Sequence, residues 1–395
     1  MSGTEIVLED LLLILSAAAL VAILVKRIRI PYTTALVLMC VAASFLRIGI
    51  DVHLSKELVL LIILPPLLFQ GALHMDLENL RRDLVTIVTM AVPGLIMATI
   101  LVAAMLYYFL SMPWLQGLLF GAMVAATDPI SVLAIFRDVG APTRLKVLME
   151  GESLFNDGTS VVLFTGLLAV ISQDTEPSVI VIAGEFLRVC IGGMAVGLAF
   201  GICCYRIMKR LEDHLLEVTL TVVLVFGSFL VAEMLHLSGV IAVVVAGLII
   251  GNYGKLFSMS KQTIATVDNF WEVIDFLINA VLFLLIGFEM KAYVSNLSDY
   301  IVDGLIIVAV VLAARALTVY PVYYLTSKTT RSYPFGWAHI MVWGGLKGSI
   351  PIALVLGLPR EIQFRAEFLV FAAILVFFSL VIQSMTMKPL VKAYK

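Results

Sequence analysis

The chain has 395 residues, 62% of them hydrophobic and 14% charged, with a mean hydropathy of +1.08 and a formal net charge of −2. A soluble domain carries roughly 25% charged and about 45–50% apolar residues, so a water-soluble fold is excluded and the surplus apolar surface must face lipid. The near-neutral balance gives no basic face for nucleic acid. Cys40, Cys190, Cys203 and Cys204 lie in apolar stretches without metal-ligand spacing, so neither a zinc site nor a disulfide framework is expected.

A helix needs about 20 apolar residues to cross the hydrocarbon. Thirteen segments answer to that pattern: 6–25, 32–46, 57–73, 84–110, 114–136, 147–171, 178–204, 215–235, 237–251, 264–289, 299–325, 334–357 and 366–387. The first lacks a basic leader, and Lys26, Arg27 and Arg29 follow it instead of preceding it. It is therefore read as a retained span and not a signal peptide. The loops are short, and no Pro/Gly/Ser-rich linker divides the chain. A single transmembrane domain over 1–395 is expected, with no soluble regulatory domain after the last span.

Lys and Arg in the loops orient the spans. Of the 26 basic residues, eighteen fall in one set of alternate loops, from Lys26, Arg27 and Arg29 through Arg206, Lys209 and Arg210 to Lys388, Lys392 and Lys395. Arg47, Lys56, Lys291, Arg360 and Arg365 fall in the opposite set, and Arg188, Arg315 and Lys347 lie inside spans. The asymmetry puts the N-terminus outside and the C-terminus in the cytoplasm, in the inner membrane of the cell.

A charge near mid-bilayer costs roughly 2.5–3.5 kcal/mol or more, so such residues are the functional candidates. In the fifth span, Ala126-Thr127-Asp128-Pro129 sets an acid beside a helix-breaking proline. In the sixth, Glu152 and Asn156 are four apart, as are Ser153 and Asp157, which stacks them on adjoining strips of one helix. Asp157 lies about 15 Å inside the span at 1.5 Å per residue. Ser153 and Asn156 alone would fit a polar seam gluing helices together, but two carboxylates at that depth do not. The twelfth span repeats the device with opposite sign, placing Lys347 among Gly344, Gly345, Gly348 and Pro351. Freed helix ends favour an acid at their positive N-termini and a base at their negative C-termini. Asp128 and Lys347 fit those two tasks.

The broken spans are seven apart, and an odd offset inverts topology. Spans 1–6 and 8–13 are thus expected to be two inverted six-helix repeats joined by span 7, with the broken helices crossing near the ion site. Arg315 in the eleventh span needs a buried acceptor, which Glu152 with Asn156 supplies. Glu185 and Arg188 are three apart and pair with each other. Glu217, Glu233, Asp275 and Glu289 lie nearer span ends and are read as without an ion-binding role.

These motifs carry a resemblance. Ala126-Thr-Asp-Pro129, Glu150-Gly-Glu-Ser-Leu-Phe-Asn-Asp-Gly158, the buried Arg315 and Trp343-Gly-Gly-Leu-Lys-Gly348 resemble those of cation/proton antiporter family 1, in its NhaP-type sodium/proton antiporters. The resemblance spans essentially the whole chain. It implies an all-α polytopic membrane protein of NhaA-like fold, a homodimer, and a core that moves like an elevator against a dimerisation half. By motif match it implies Na⁺ held at Asp157, Asp128, Ser153 and the Thr127 carbonyl, with Glu152 acting through water. Asn156, Arg315 and Lys347 would brace the charges. Lys347 stands where the family commonly has Arg, so the charge is kept and the planar fork lost.

The function so implied is exchange of Na⁺ or Li⁺ for H⁺, both competing to neutralise Asp157. Hard oxygen ligands suit an alkali cation, and no cofactor is expected. Asn156 beside Asp157 cannot titrate, which points to electroneutral one-for-one exchange. K⁺/H⁺ exchange is the competing reading within the family, and a cation channel the competing reading from another class. A Ser/His dyad, a Gly-Asp protease pair and a His-Glu-x-x-His motif are all missing from the sequence, so an intramembrane enzyme is not expected.

Overall fold

The computed structural model describes residues 59–128, 130–173, 179–211, 213–290, 297–329 and 333–394, with isolated positions at 16, 19, 20, 23 and 35. The expected spans 6–25 and 32–46, and Pro129, lie outside these described stretches. Every described element is helical. In chain order they are α1 (Val59–His74), α2 (Leu77–Arg82), α3 (Leu84–Leu110), α4 (Trp114–Ala125), α5 (Ile130–Val139), α6 (Thr143–Gln173) and α7 (Val179–Met208). There follow α8 (His214–Met234), α9 (Gly239–Phe257), α10 (Lys261–Met290), α11 (Leu297–Thr329), α12 (Phe335–Trp343), α13 (Ser349–Leu356) and α14 (Arg365–Tyr394).

Eight of these are long and apolar enough to span a membrane, with α1 and α4 as shorter apolar helices. The third to thirteenth expected segments each fall on these helices. The fifth and twelfth are split, into α4–α5 and α12–α13. Lipid offers no partner to a stray backbone group, so helix ends must be closed by the chain itself. Asp76 accepts from the amides of Glu78 and Asn79, Asp213 from those of Leu215 and Leu216, and Ser238 from that of Ile241. One π-turn in α3, Met90–Gly94, contains Pro93, whose missing N–H explains the slip in hydrogen-bond register.

Two packing groups emerge. One joins α1, α7, α8, α9 and α10 around α9, and the other joins α3, α4, α6, α11, α12, α13 and α14, with α5 on the last half of α14. The groups meet where α6 touches α1 and α9, and where α10 lies on α13. In the first, the small residues Gly193, Gly197 and Gly201 let α7 approach α9 closely. A Cβ on Gly197 would collide with the Ala242 carbonyl, and one on Gly193 with the Ser238 carbonyl. Glu217, buried near the start of α8, accepts a 2.5 Å hydrogen bond from Thr263 of α10. Glu185 and Arg188 pair at 2.5 Å, as their spacing predicts.

Overpacking a tight helix contact costs about 1–3 kcal/mol or more. Gly197→Val is therefore expected to lower the thermal stability of the detergent-solubilised protein, while Gly166→Val, with open space around it, is not. Fluorescence-detected size-exclusion chromatography after heating compares the two.

Candidate ion-binding site

The site is built where the two split helices meet. α4 stops at Ala125, and Ala126 turns extended, with φ −52° and ψ 142°. α12 stops at Trp343, and Gly348 begins α13 with φ −113° and ψ −137°. The two gaps are bonded to each other: the Asp128 amide donates to the Leu346 carbonyl at 2.8 Å. Lys347 Nζ donates to the carbonyls of Ala126 at 3.0 Å and Ala125 at 3.3 Å. A buried ammonium thus closes the negative end of α4. Asp128 lies against the opposite gap, at the start of α13. A Cβ on Gly348 would run into the Asp128 carboxylate, so only glycine fits there. The Trp343 carbonyl is closed by Gln383 Nε2 at 2.9 Å.

α6 passes beside this crossing and supplies the rest. Ser153 Oγ donates to the Thr127 carbonyl. Asn156 Nδ2 donates to Thr127 Oγ1 at 2.8 Å and to Glu152 Oε1 at 3.3 Å, and Asn156 Oδ1 accepts from the Thr127 amide at 3.4 Å. The Arg315 guanidinium engages both Glu152 oxygens, Nη2 to Oε2 at 2.7 Å. Nη2 and Nε also donate to the Met341 carbonyl, at 3.2 and 3.4 Å. Glu152 is only 2% exposed and Lys347 only 4%. Arg315 therefore reaches Asn156 through Glu152 and makes no bond to the amide directly.

Asp157 lies one turn beyond Ser153, with Asp128, Lys347, Glu152 and the Thr127 backbone around it. The Asp157 side chain is half-buried, and its Oδ1 is fully buried with no hydrogen-bond partner. Carboxylates, a hydroxyl and a carbonyl make this a set of hard oxygen donors, suited to an alkali cation. A cavity of about 30 Å³ is lined by Glu152, Asn156, Arg315, Lys347, Thr318 and apolar side chains. That is room for about two waters with polar partners.

All eight candidate residues, Thr127, Asp128, Glu152, Ser153, Asn156, Asp157, Arg315 and Lys347, come together here. Asp275, read as a span-end residue, sits near the middle of α10, the helix that packs on α13.

Interrupted helices whose gaps meet over buried carboxylates define a secondary-transporter class of membrane protein. The chain matches the family described as "Sodium/hydrogen exchanger, transmembrane" over residues 14–393 and belongs to that family. The Na(+)/H(+) antiporter NhaP of Pseudomonas aeruginosa is 39% identical over 349 residues, covering 85% of this chain and 81% of that one. NhaG of Bacillus atrophaeus, also named a Na(+)/H(+) antiporter, is 36% identical over 392 residues, covering 96% and 73%. The solved structure of the sodium proton antiporter MjNhaP1 from Methanocaldococcus jannaschii at pH 8 has the same fold. Its TM-score is 0.82 at 21% identity, covering 100% of this chain and 99% of that one.

Removing one member of a buried ion pair costs about 3–5 kcal/mol, because the other charge is left without its partner. Arg315→Ala is expected to lose yield and thermal stability sharply. Adding Glu152→Gln to it should recover much of the loss. Differential scanning fluorimetry of both variants measures this, and a single variant as stable as the parent would remove the bracing role.

Proposed function

We propose that the chain is a secondary active antiporter that exchanges Na⁺ or Li⁺ for H⁺, the two competing for the carboxylate of Asp157. The observation that carries this reading is Asp157 Oδ1, a fully buried acceptor without a hydrogen-bond partner among oxygen ligands. The names of the curated relatives support it. Asp157, Asp128, Ser153 Oγ and the Thr127 carbonyl hold the cation, and Glu152 acts through water. Asn156, Arg315 and Lys347 hold these groups in place. No residue here performs covalent chemistry, and no cofactor takes part.

A bare carboxylate is disfavoured away from water, whereas a protonated or cation-bound one is not. Either ion satisfies Asp157, and both cannot do so at once. The core formed by α3–α6 and α11–α14 carries the loaded site, moving as an elevator against a wall that includes α1 and α7–α10. A core that crosses only when loaded couples the two fluxes. The two split helices occupy matching places in inverted repeats, spans 1–6 and 8–13, of a single transmembrane domain. The protein works as a homodimer in the inner membrane, N-terminus outside and C-terminus in the cytoplasm. Asn156 gives Asp157 a neighbour that cannot take a proton, so one cation leaves for each proton that enters.

Dye-based antiport in everted vesicles, with Na⁺, Li⁺ and K⁺ offered separately, tests the exchange. Asp157→Asn is expected to reduce it to background, at least a hundredfold. Full activity in that variant, or a clear preference for K⁺ in the parent, would overturn the assignment of site or of cation. In proteoliposomes, exchange is expected to proceed without building a membrane potential, which a voltage-sensitive dye reports. A potential that follows the Na⁺ gradient would refute one-for-one exchange.

A further inference from the structure

Each split helix is followed in the chain by one long helix, α6 after α4–α5 and α14 after α12–α13. Both long helices send two side chains, three residues apart, onto the stop of the split helix before them. From α6, Ser153 Oγ donates to the Thr127 carbonyl and Asn156 Nδ2 to the Thr127 hydroxyl. From α14, Gln383 Nε2 donates to the Trp343 carbonyl at 2.9 Å, and Thr386 Oγ1 accepts from the Trp343 indole at 2.9 Å. In each case one residue is held by both its backbone and its side chain. The α6 pair belongs to the ion site. The α14 pair holds the second gap, the one that lies against Asp128.

Gln383 is itself fixed in place. It is 2% exposed, and the buried Ser379 donates from Oγ to its Oε1 at 2.8 Å. A carbonyl only accepts, so the amide nitrogen is the end turned to Trp343. Ser379 and Gln383 both lie in Phe378–Gln383, where α14 widens into a π-turn. Such turns are rare and gather at functional sites. From Trp343 the tie runs on through the gap. The Leu346 amide donates to the Gly344 carbonyl at 2.8 Å, and the Leu346 carbonyl accepts from the Asp128 amide at 2.8 Å. Lys347, the next residue, closes Ala125 and Ala126, and Gly348 lies against the Asp128 carboxylate. Without Gln383 the Trp343 carbonyl would lose its donor, and the tight Gly344–Leu346 turn would lose its fixed end.

We propose that Gln383 is a positioning residue for the exchange: by holding the Trp343 carbonyl it fixes where the gap between α12 and α13 stands against Asp128, and with it the spacing of the oxygens that receive the cation. This rests on the reading of Asp128 and Asp157 as cation ligands. Gln383 touches no ion and acts through Trp343, Leu346 and the Asp128 backbone. Moving one carboxylate relative to its partners changes which cation fits. Loss of the bond should therefore show in apparent affinity and in the preference between Na⁺ and Li⁺. A residue needed only for folding would lower maximal rate and stability and leave both of those unchanged.

The test uses the full chain, purified and reconstituted in proteoliposomes, with Na⁺ and Li⁺ as probes. Gln383→Leu keeps much of the side-chain volume and removes the donor. It is expected to raise the apparent KM for Na⁺ about three- to tenfold, the weight of one hydrogen bond, with maximal rate within about threefold. The ratio of Na⁺ to Li⁺ apparent affinities should shift as well. Gln383→Glu is the rescue, since a protonated carboxyl still donates to Trp343 and an ionised one cannot. Its KM for Na⁺ should match the parent's at about pH 6 and rise above it by about pH 9. A KM and an ion ratio both unchanged in Gln383→Leu overturn the proposal, as does a loss of maximal rate that tracks a loss of thermal stability at unchanged KM. If the Leu variant does not fold, Gln383→Glu decides alone: a KM in constant proportion to the parent's across the same pH range overturns the proposal. Failure of the underlying function looks different, because the parent itself would then show no Na⁺-driven proton flux, or Asp157→Asn would retain it.

Discussion

Two helices that stop inside the protein leave carbonyls and amides that lipid cannot satisfy, and the rest of the core is arranged to close those groups. Lys347 closes the end of α4, the Asp128 amide closes Leu346, and Gln383 closes Trp343. The first two of these form only where the gaps lie against each other, so each split helix helps to hold the other. The same constraint explains the glycines around Lys347. A Cβ on Gly345 would meet the Arg315 guanidinium at 2.8 Å, and one on Gly348 would displace the Asp128 carboxylate.

The Arg315–Glu152 pair acts one layer behind this junction. Two desolvated charges repay their cost only with good geometry and further hydrogen bonds. Here the guanidinium grips both carboxylate oxygens and also donates to the Met341 carbonyl of α12. Glu152 in turn receives Asn156, which holds Thr127 by both its hydroxyl and its amide. One chain of bonds thus runs from α11 through α6 to the gap after α4. Arg315 on α11 thus bears on Thr127 through Glu152 and Asn156 of α6.

Much of this was legible because a membrane makes polar residues conspicuous. Against an apolar background, Glu152, Asp157, Arg315 and Lys347 announce themselves by depth, and Pro129 and the glycines near Lys347 by their effect on a helix. The acceptor for Arg315 followed from charge alone, whereas its second acceptor, the Met341 carbonyl, has no side-chain signature. Asp275 was placed near a span end, yet it lies in the middle both of the expected span 264–289 and of α10, Lys261–Met290. What that helix faces is set by the packing of α10 on α13, and no local pattern encodes that.

Lys347 also bears on the electrical cost of movement. Within the group that surrounds Asp157, the carboxylates of Asp128, Glu152 and Asp157 stand against the cations of Arg315 and Lys347. One negative charge is left over when all are ionised. A single proton or a single alkali ion cancels it. Moving one elementary charge through 100 mV costs about 2.3 kcal/mol. A group that is neutral with either passenger does no such work in either direction. On the proposed one-for-one exchange, the resting potential of the cell would neither drive nor brake the cycle, and only the two concentration gradients would set its direction.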